Sequence, residues 1–398
     1  MIHAKSPLII LALFTLLLSP CVQAEVLSIN DPEKNEKGFS FGAILPLSGF
    51  YEDYGDRILK SLILAGGFFM PHRETFAELH IEDSQMQPEK ARQGFERLTA
   101  REDLLAVIGP LSSEEALELA ELSGRKGIPL LTLTKNEDVT GLSSYCFSAV
   151  PSSKRQLRHL AHHVLNERNI NRIAILYPDV PFGQDAAHFF RDEIKNRGGR
   201  ITHFISYEGQ STDFSKEIML LLRDPDDSAH TGGDMGQANQ RTAFDGLFIP
   251  DTAARAAQIV SQFSFYNTQG FQLFGGSGWN DPDTIRKHRD LFAGAVFVDG
   301  YFSCGTHAKT EAFADGYYAA YAREPDSLDA YAYDAMMLVM KALKDGMTSS
   351  RPLRDILAET RAYPGVRGLI TASPSRLMDS EPFLITVVEG EGVRMGRP

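Results

Sequence analysis

The stretch LLAVIGPLSSEEALELAELSGRKGIPLLTLT, residues 104–134, decides the fold. It begins with a short apolar run, continues with apolar residues at helical spacing, and ends with a second apolar run. Two serines precede the helical part, acidic residues occupy its first turn and Gly127 closes it, which are the usual start and stop signals of a helix. The stretch therefore predicts a β-strand, an α-helix and a second β-strand.

The same alternation extends in both directions from this stretch. A first set contains strands at 39–47, 77–83, 104–110 and 128–134 and helices at 54–69, 88–102 and 112–127. After an extended segment at 144–153, a second set contains strands at 170–178, 200–207, 244–251 and 271–276 and helices at 182–199, 213–224 and 252–270. Alternating strands and helices form right-handed βαβ units on a mostly parallel sheet. We therefore predict an α/β protein with two doubly wound, Rossmann-like lobes.

The remaining segments complete these lobes. The stretch at 225–242 has almost no apolar residues and predicts a surface loop inside the second lobe. Helices are predicted at 307–325 and 327–346, and closing strands at 366–373 and 382–390.

The composition limits the class of protein. The 398 residues are 43% hydrophobic and 23% charged, which suits a globular chain of about two domains. The net charge is −12, and no cluster of Lys and Arg is dense enough to follow a phosphate backbone. We therefore expect no nucleic-acid partner.

The N-terminus has the pattern of an export signal. Lys5 gives a positive start, an apolar run follows at 8–18, and Val-Gln-Ala at 22–24 fits a small-residue cleavage site. We predict that residues 1–24 are a cleavable signal peptide. Lipidation at Cys21 is the less favoured alternative, because Pro20 stands where a lipidation signal usually has a small residue.

No later part of the sequence approaches the roughly 18 uninterrupted apolar residues of a membrane span. The mature chain is therefore predicted to have no transmembrane span.

Several motifs, in this order and spacing, carry a resemblance to a known family. They are GAILPLSGFYEDYG (42–55), VIGPLSSEEA (107–116), FSAVPSSKRQ (147–156), AILYPDVPFGQ (174–184), YEGQSTDFS (207–215), YAYDAMMLVMKAL (331–343) and YPGVRGLI (363–370). The chain resembles the type I periplasmic binding proteins, in particular the branch that binds leucine, isoleucine and valine.

The resemblance implies two lobes joined by crossover strands, with a ligand in the cleft between them. It places residues 38–149 and 303–363 in the first lobe and residues 150–302 and 364–398 in the second. It also implies a periplasmic location.

The resemblance implies specific ligand contacts in the first lobe. Amino-acid binders of the family hold the ligand carboxylate at a helix N-terminus, where Leu111, Ser112 and Ser113 stand here, and Ser113 aligns with the carboxylate-binding serine. Unpaired N–H groups and the helix dipole favour an anion at such a point. The alternative is that Ser112 only caps the helix.

A further contact in the family comes from a threonine after the next strand. At that point this chain offers Thr132, Thr134 and Lys135, and the choice among them stays open. If Lys135 faces the ligand, an anionic group gains a counter-charge; otherwise Lys135 is an ordinary solvated lysine.

The second lobe departs from the amino-acid binders. Phe182 replaces a tyrosine, and Ser277 stands where those proteins have a glutamate for the ligand ammonium. A buried ammonium without a carboxylate is costly, which counts against a leucine-like ligand unless Asp251 or Asp281 supplies the charge. Asp251 is equally well explained as the N-cap of the next helix.

Trp279, the only tryptophan, is interpreted either as a wall of the cleft or as part of the core.

Two functions from different classes follow from the resemblance. The leading hypothesis is a receptor without enzymatic activity that binds a small polar ligand, an amino acid or a related compound, and serves an ABC importer. The alternative is an activator of penicillin-binding proteins that contacts a peptidoglycan synthase, since the second lobe also resembles that subgroup. Neither hypothesis requires a cofactor.

Chemical motifs that would indicate catalysis or a metal are weak. His159, His162 and His163 lie on one predicted helix at spacings of three and four, but no carboxylate or cysteine completes a metal site in the sequence pattern. The stretch GGSGW lacks the last glycine of G-x-S-x-G, and no glycine-rich loop ends in Gly-Lys-Ser/Thr. We therefore predict no enzymatic activity and no bound metal.

Two cysteines remain after residue 24. Cys146 and Cys304 both lie beside predicted crossovers between the lobes, where neighbouring strands would allow a disulfide. The alternative is two buried thiols that never meet.

Overall fold

The computed structural model describes residues 25–27, 38–68, 77–223, 242–266, 268, 270–305, 307–346, 349–388 and 392–395. The predicted signal peptide with Cys21, and all but the last residue of the predicted surface loop at 225–242, lie outside the described residues.

The described strands and helices are bounded as follows. The strands are β1 (Glu25–Leu27), β2 (Phe39–Leu45), β3 (Ala77–Asp83), β4 (Leu104–Ile108), β5 (Leu130–Thr132), β6 (Cys146–Ser148), β7 (Arg172–Pro178), β8 (Arg200–Tyr207), β9 (Gly246–Ile249), β10 (Gln272–Gly275), β11 (Val296–Asp299), β12 (Tyr363–Gly365), β13 (Gly368–Ala372), β14 (Met378–Asp379), β15 (Phe383–Val388) and β16 (Gly392–Met395). The α-helices are α1 (Glu52–Gly66), α2 (Pro88–Thr99), α3 (Ser113–Lys126), α4 (Ser153–His162), α5 (Pro181–Asn196), α6 (Ser215–Leu221), α7 (Ala253–Phe263), α8 (Pro282–Lys287), α9 (Ala308–Tyr321), α10 (Ser327–Lys344) and α11 (Ser350–Ala358).

The first lobe contains a sheet in the order β1-β3-β2-β4-β5-β6. All of its neighbours pair in parallel except β1, which is antiparallel to β3. Strand β2 lies in the middle, with Ala43 opposite both Ile81 and Ile108. Strand β4 is buried along its whole length, as expected of a parallel strand covered by helices on both faces.

The second lobe repeats this arrangement. Its sheet has the order β16-β15-β11-β10-β9-β7-β8, and the strands from β7 to β11 are parallel. Omitting the antiparallel edge strands, both sheets follow the order 2-1-3-4-5, which is one of the common doubly wound topologies. The predicted fold, two doubly wound α/β lobes, is confirmed.

The last part of the chain returns to the first lobe before it enters the second. Helix α10 and the residues Val366, Ile370 and Met378 pack into the core of the first lobe, together with α1. Strand β15 then pairs antiparallel with β11 in the second lobe. The packing therefore changes lobes between Met378 and Phe383, later than the boundary at 363/364 that the resemblance implies.

Helix α3 shows why the sequence forms these elements where it does. The Ser112 hydroxyl accepts a hydrogen bond from the backbone N–H of Glu115 at 3.1 Å, which caps the first turn. At the other end, Gly127 adopts a left-handed conformation with φ 68°, which suits glycine at the end of a helix. Both predicted ends of this helix are therefore correct to within one residue.

Candidate ligand-binding cleft

A cleft of about 800 Å³ lies between the two lobes. The first lobe contributes Tyr51, Leu111 and Lys135, and the second contributes Gln156, Ser277 and Asn280. The loops that follow β2, β4 and β5 reach this cleft, so it lies at the carboxyl ends of the parallel strands. Ligands of open α/β sheets bind at this edge, next to the point where the strand order reverses.

The two serines at the start of α3, Ser112 and Ser113, make local hydrogen bonds. Ser112 caps α3, which is the structural alternative stated for it. The Ser113 hydroxyl lies 2.9 Å from the Thr134 hydroxyl, and Thr134 also accepts from the Asn136 backbone N–H at 3.2 Å. Leu111, just before them, lines the cleft.

Of the three candidates at the end of β5 and after it, only Lys135 lines the cleft. Thr132 is fully buried, and its hydroxyl donates to the carbonyl oxygen of Phe147 at 3.2 Å, so the prediction that it contacts a ligand is wrong. Thr134 is only 3% exposed and is held by Ser113.

Lys135 reaches across the cleft to the second lobe. Its ammonium donates to the Ser277 hydroxyl at 3.3 Å and lies 5.6 Å from the centre of the Phe182 ring. These are a hydrogen bond and a cation–π contact of an exposed lysine. Lys135 of the first lobe therefore contacts two candidate ligand-binding residues of the second lobe, Phe182 and Ser277.

A small side pocket of about 30 Å³ continues from the cleft into the second lobe. Phe182, Asp251 and Ser277 line it, and Ser277 also lines the main cleft. The Tyr207 hydroxyl donates to the Asp251 carboxylate at 2.5 Å, and burial raises the pKa of Tyr207. Asp251 does not cap α7, because the cap is the side chain of Thr252.

The prediction that Trp279 forms a wall of the cleft is wrong. The side chain is fully buried in the core of the second lobe. Its ring packs edge-to-face against Phe292 with 5.1 Å between ring centres. The structure therefore supports the alternative, in which Trp279 is a core residue beneath the turn.

The floor of the cleft is a hydrogen-bond network around Asp299, which sequence analysis did not single out. Its carboxylate accepts from the Asn280 amide at 2.8 Å, the Tyr331 hydroxyl at 3.1 Å, the Gly300 N–H at 2.6 Å and the Ser327 hydroxyl. Burial raises the pKa of Asp299, and these donors together with the positive charge of Lys135 partly offset that effect. Asn280 belongs to the second lobe and Ser327 and Tyr331 to the first, so Asp299 ties the lobes together.

A sequence signal for Asp299 exists. It is the polar last residue of the apolar run VFVD, just as Asp251 follows the apolar run FIP. Acidic residues at the carboxyl ends of parallel strands face the edge where ligands bind. Asn280 and Tyr331 give no comparable signal, because their roles depend on contacts between segments far apart in sequence.

Of the two alternatives for Cys146 and Cys304, the disulfide is not formed. Cys146 is buried in β6, whereas Cys304 is exposed, and both are free. Burial raises the pKa of the Cys146 thiol to about 12, so this thiol is protonated and unreactive at neutral pH. The two cysteines are therefore separate thiols, as in the other alternative, but only Cys146 is buried, whereas that alternative had both thiols buried.

The three histidines of α4 and the turn after it pair with two carboxylates. His163 lies 2.7 Å from Glu167, His162 lies 3.9 Å from the same carboxylate, and His159 lies 3.4 Å from Glu381. The ligand atoms of these residues, all of which the structure describes, do not come together as a group with metal-ligand spacing.

One group with metal-ligand spacing lies elsewhere, at the edge of the first sheet. Ligand atoms of Glu78, His80 and Asp103 lie within 4.8 Å of one another. The Arg101 guanidinium lies 3.1 Å from Asp103 and 3.6 Å from Glu78. A side-chain cation therefore already supplies the positive charge at this group.

Comparison with known proteins identifies the fold family. The profile of the family described as periplasmic binding protein matches residues 39–390. The chain belongs to this family. No curated protein matches the sequence at a significant level.

Solved structures of periplasmic binding proteins superpose on about nine-tenths of this chain. A putative branched-chain amino acid ABC transporter from Rhodospirillum rubrum has a TM-score of 0.78 at 18% identity, covering 90% of this chain and 100% of that one. LivJ from Streptococcus pneumoniae, in complex with isoleucine, has a TM-score of 0.70 at 22% identity, covering 91% and 100%.

A solute-binding protein of an ABC transporter from Rhodopseudomonas palustris, in complex with 3,4-dihydroxybenzoic acid, has a TM-score of 0.70 at 19% identity, covering 91% and 96%. At these identities the likeness establishes the shared fold.

Within the part of the chain that the structure describes, no helix is both long and apolar enough to cross a membrane.

Proposed function

We propose that this periplasmic binding protein is a receptor that binds a small carboxylate-bearing solute, an amino acid or a related acid, between its lobes and serves an ABC importer. The observation that carries the proposal is the cleft of about 800 Å³, to which both lobes contribute polar side chains. That volume lies within the range of small-molecule sites. The ligands of the two ligand-bound neighbours above, isoleucine and 3,4-dihydroxybenzoic acid, are both carboxylic acids.

The same proposal covers the role and the location of the protein. The cleft offers binding groups from both lobes, and the chain belongs to a family of binding proteins, so we propose a receptor without enzymatic activity. We also propose that residues 1–24 direct export to the periplasm. The proposed ligand-binding residues are Leu111, Ser113, Lys135, Phe182, Asp251 and Ser277.

Thermal unfolding tests the proposal directly. Residues 25–398 are unfolded in the presence of amino acids, small carboxylates and muropeptides, one at a time. A ligand at about 100 times its Kd adds about 2.7 kcal/mol to the free energy of unfolding, which shifts the Tm by a few degrees. A shift with an amino acid or a small carboxylate is the expected result. No shift with any of them would contradict the receptor function.

The alternative function, activation of a penicillin-binding protein, is favoured by one feature. Phe265 is 82% exposed in the turn Ser264–Tyr266 of the second lobe. Aromatic side chains are enriched in protein interfaces. A muropeptide-independent complex with a peptidoglycan synthase that is lost in Phe265→Ser would support this alternative.

A further inference from the structure

The charged side chains that line the cleft differ in whether they already have a bonding partner within the protein. Most of its acidic side chains already have partners in the protein. Asp281 accepts from the backbone N–H of Thr284 at 3.1 Å and from its hydroxyl at 2.6 Å. Asp283 accepts from Arg286 at 3.0 Å. The carboxylates of Asp281 and Asp283 are therefore already bonded to residues of α8.

Two further acidic groups of the cleft, Asp326 and Asp299, are also engaged. Asp326 caps α10 through the N–H groups of Leu328 and Asp329 and pairs with Arg57. Asp299 accepts four hydrogen bonds, two on each oxygen. A carboxylate has about four acceptor positions, so Asp299 has none left for a ligand ammonium.

The arginine and lysine side chains that line the cleft also differ in whether they are paired with a carboxylate. Arg57 pairs with Asp326, Arg286 with Asp283 and Arg323 with Asp329. Lys135 contacts the neutral Ser277 hydroxyl and the Phe182 ring. Among the described residues, Lys135 is the cleft lysine or arginine that has no carboxylate within ion-pair distance.

A ligand that fills this cleft removes water from Lys135. Desolvating an ammonium is costly unless an anion replaces the lost hydration, and an N⁺–H···O⁻ bond is among the stronger hydrogen bonds. An ammonium group on the ligand would face the opposite difficulty, because Lys135 repels it and the inner carboxylates are already bonded. Glu324 also lines the cleft, but it is exposed, so water solvates its carboxylate.

The rest of the lining indicates the body of the ligand. Beside Lys135, the first lobe and the crossover present the apolar side chains Leu111, Leu133, Val150 and Leu328. These surfaces suit a hydrocarbon or aromatic body, because apolar contact area is stabilised on burial.

We propose that the ligand is a small carboxylate that has an apolar body and no ammonium group, held by a hydrogen bond between its carboxylate and the Lys135 ammonium. This inference rests on the proposed receptor function and specifies the class of solute. It makes Lys135 a specificity-determining residue of the cleft.

The test uses ligands that differ by one charged group. Leucine carries both groups, 4-methylpentanoate is leucine without its ammonium, and 3-methylbutan-1-amine keeps only the ammonium. Phenylalanine and 3-phenylpropanoate form a second pair. Affinities of residues 25–398 for each compound are measured by titration calorimetry. We expect each carboxylate to bind at least about tenfold more tightly than its amino acid, and the amine to bind least.

Variants at position 135 test the proposed contact. Lys135→Gln should weaken carboxylate binding at least about tenfold, and Lys135→Arg should retain most of it, because arginine keeps the charge. Lys154→Gln is the matched control, since it removes one charge from an exposed lysine near the cleft that does not line it. It should bind as the wild-type protein does.

Each result has a defined meaning. If an amino acid binds as tightly as its ammonium-free analogue, or Lys135→Gln binds the carboxylates unchanged, the inference is wrong while the receptor function stands. If no compound of either series binds the folded wild-type protein, the inference is wrong. The receptor function is then wrong as well only if the wider panel of amino acids and small carboxylates also leaves the Tm unchanged.

Discussion

The glycines around Trp279 explain how the largest side chain fits beneath a tight turn. A Cβ atom on Gly275 would lie 2.1 Å from the Trp279 ring, closer than real contacts allow. A Cβ atom on Gly276, the next residue, would meet nothing within 4 Å. Gly275 is therefore required by the indole, whereas Gly276 is not restricted by contacts. The sequence shows glycines next to a tryptophan, but only the packing tells which glycine makes room for the ring.

The contrast between these glycines is testable. Gly275→Ala should destabilise the second lobe by about 1–3 kcal/mol, the usual cost of overpacking a core. Gly276→Ala, at φ −94°, should change the free energy of unfolding by less than about 0.5 kcal/mol. Urea unfolding followed by fluorescence of the single tryptophan measures both. Equal losses would contradict the assignment of Trp279 to the core.

Glu115 gives a second prediction at the residue scale. It is fully buried, and neither of its carboxylate oxygens has a hydrogen-bond partner among the described residues. Burial raises the pKa of its carboxyl, and the nearby Ser84 and Ser112 offset this effect only in part. The folded protein therefore holds this proton more tightly than the unfolded chain does, and stability falls as the pH rises through the folded-state pKa. Glu115→Gln removes this titration while keeping the shape.

We therefore expect Glu115→Gln to gain stability relative to the wild-type protein as the pH rises from about 4 to 8. Free energies of unfolding in urea across this pH range measure the difference. A difference that is the same at every pH, or that shrinks as the pH rises, would show that Glu115 is not a buried acid of this kind.

At the scale of single elements, the sequence predicts most of the fold but not its short pieces. Strands β3 and β8 begin and end where predicted, since each has apolar residues interspersed with polar ones between clear breaks in the pattern. Helices α8 and α11 were missed, since each is short. A short helix is stabilised by its tertiary packing more than by a periodic pattern, which leaves little signal in one sequence.

Helix α3 offers a matched test of an element boundary. Ser112→Ala removes the N-cap and should lower the free energy of unfolding by about 1 kcal/mol. Ser113→Ala, one residue later, removes no cap, so its loss should be smaller. Chemical denaturation of both variants decides between them. A larger loss for Ser113→Ala would place the helix boundary elsewhere and would make the contact between Ser113 and Thr134 the main one.

At the scale of the whole molecule, the site depends on contacts between the lobes that no local pattern predicts. Lys135 meets Ser277 across 142 positions of sequence. Asp299 gathers Asn280 from one lobe and Ser327 from the other. The resemblance predicted the cleft and several of its residues. Only the folded structure shows that Lys135, unlike the described arginines that line the cleft, has no carboxylate within ion-pair distance.

The measurement that tests the central claim most directly is titration calorimetry of a blocked cleft. Ser277→Trp places a large side chain where Ser277 lines both the cleft and its side pocket. Ser264→Trp is the matched control, an exposed serine that begins another turn of the second lobe and does not line the cleft. Both variants are first shown to fold by circular dichroism.

We predict that a carboxylate which binds the wild-type protein with one site per chain binds Ser264→Trp equally well and fails to bind Ser277→Trp. Equal binding by all three proteins would show that the ligand does not bind between the lobes and would contradict the account of this cleft.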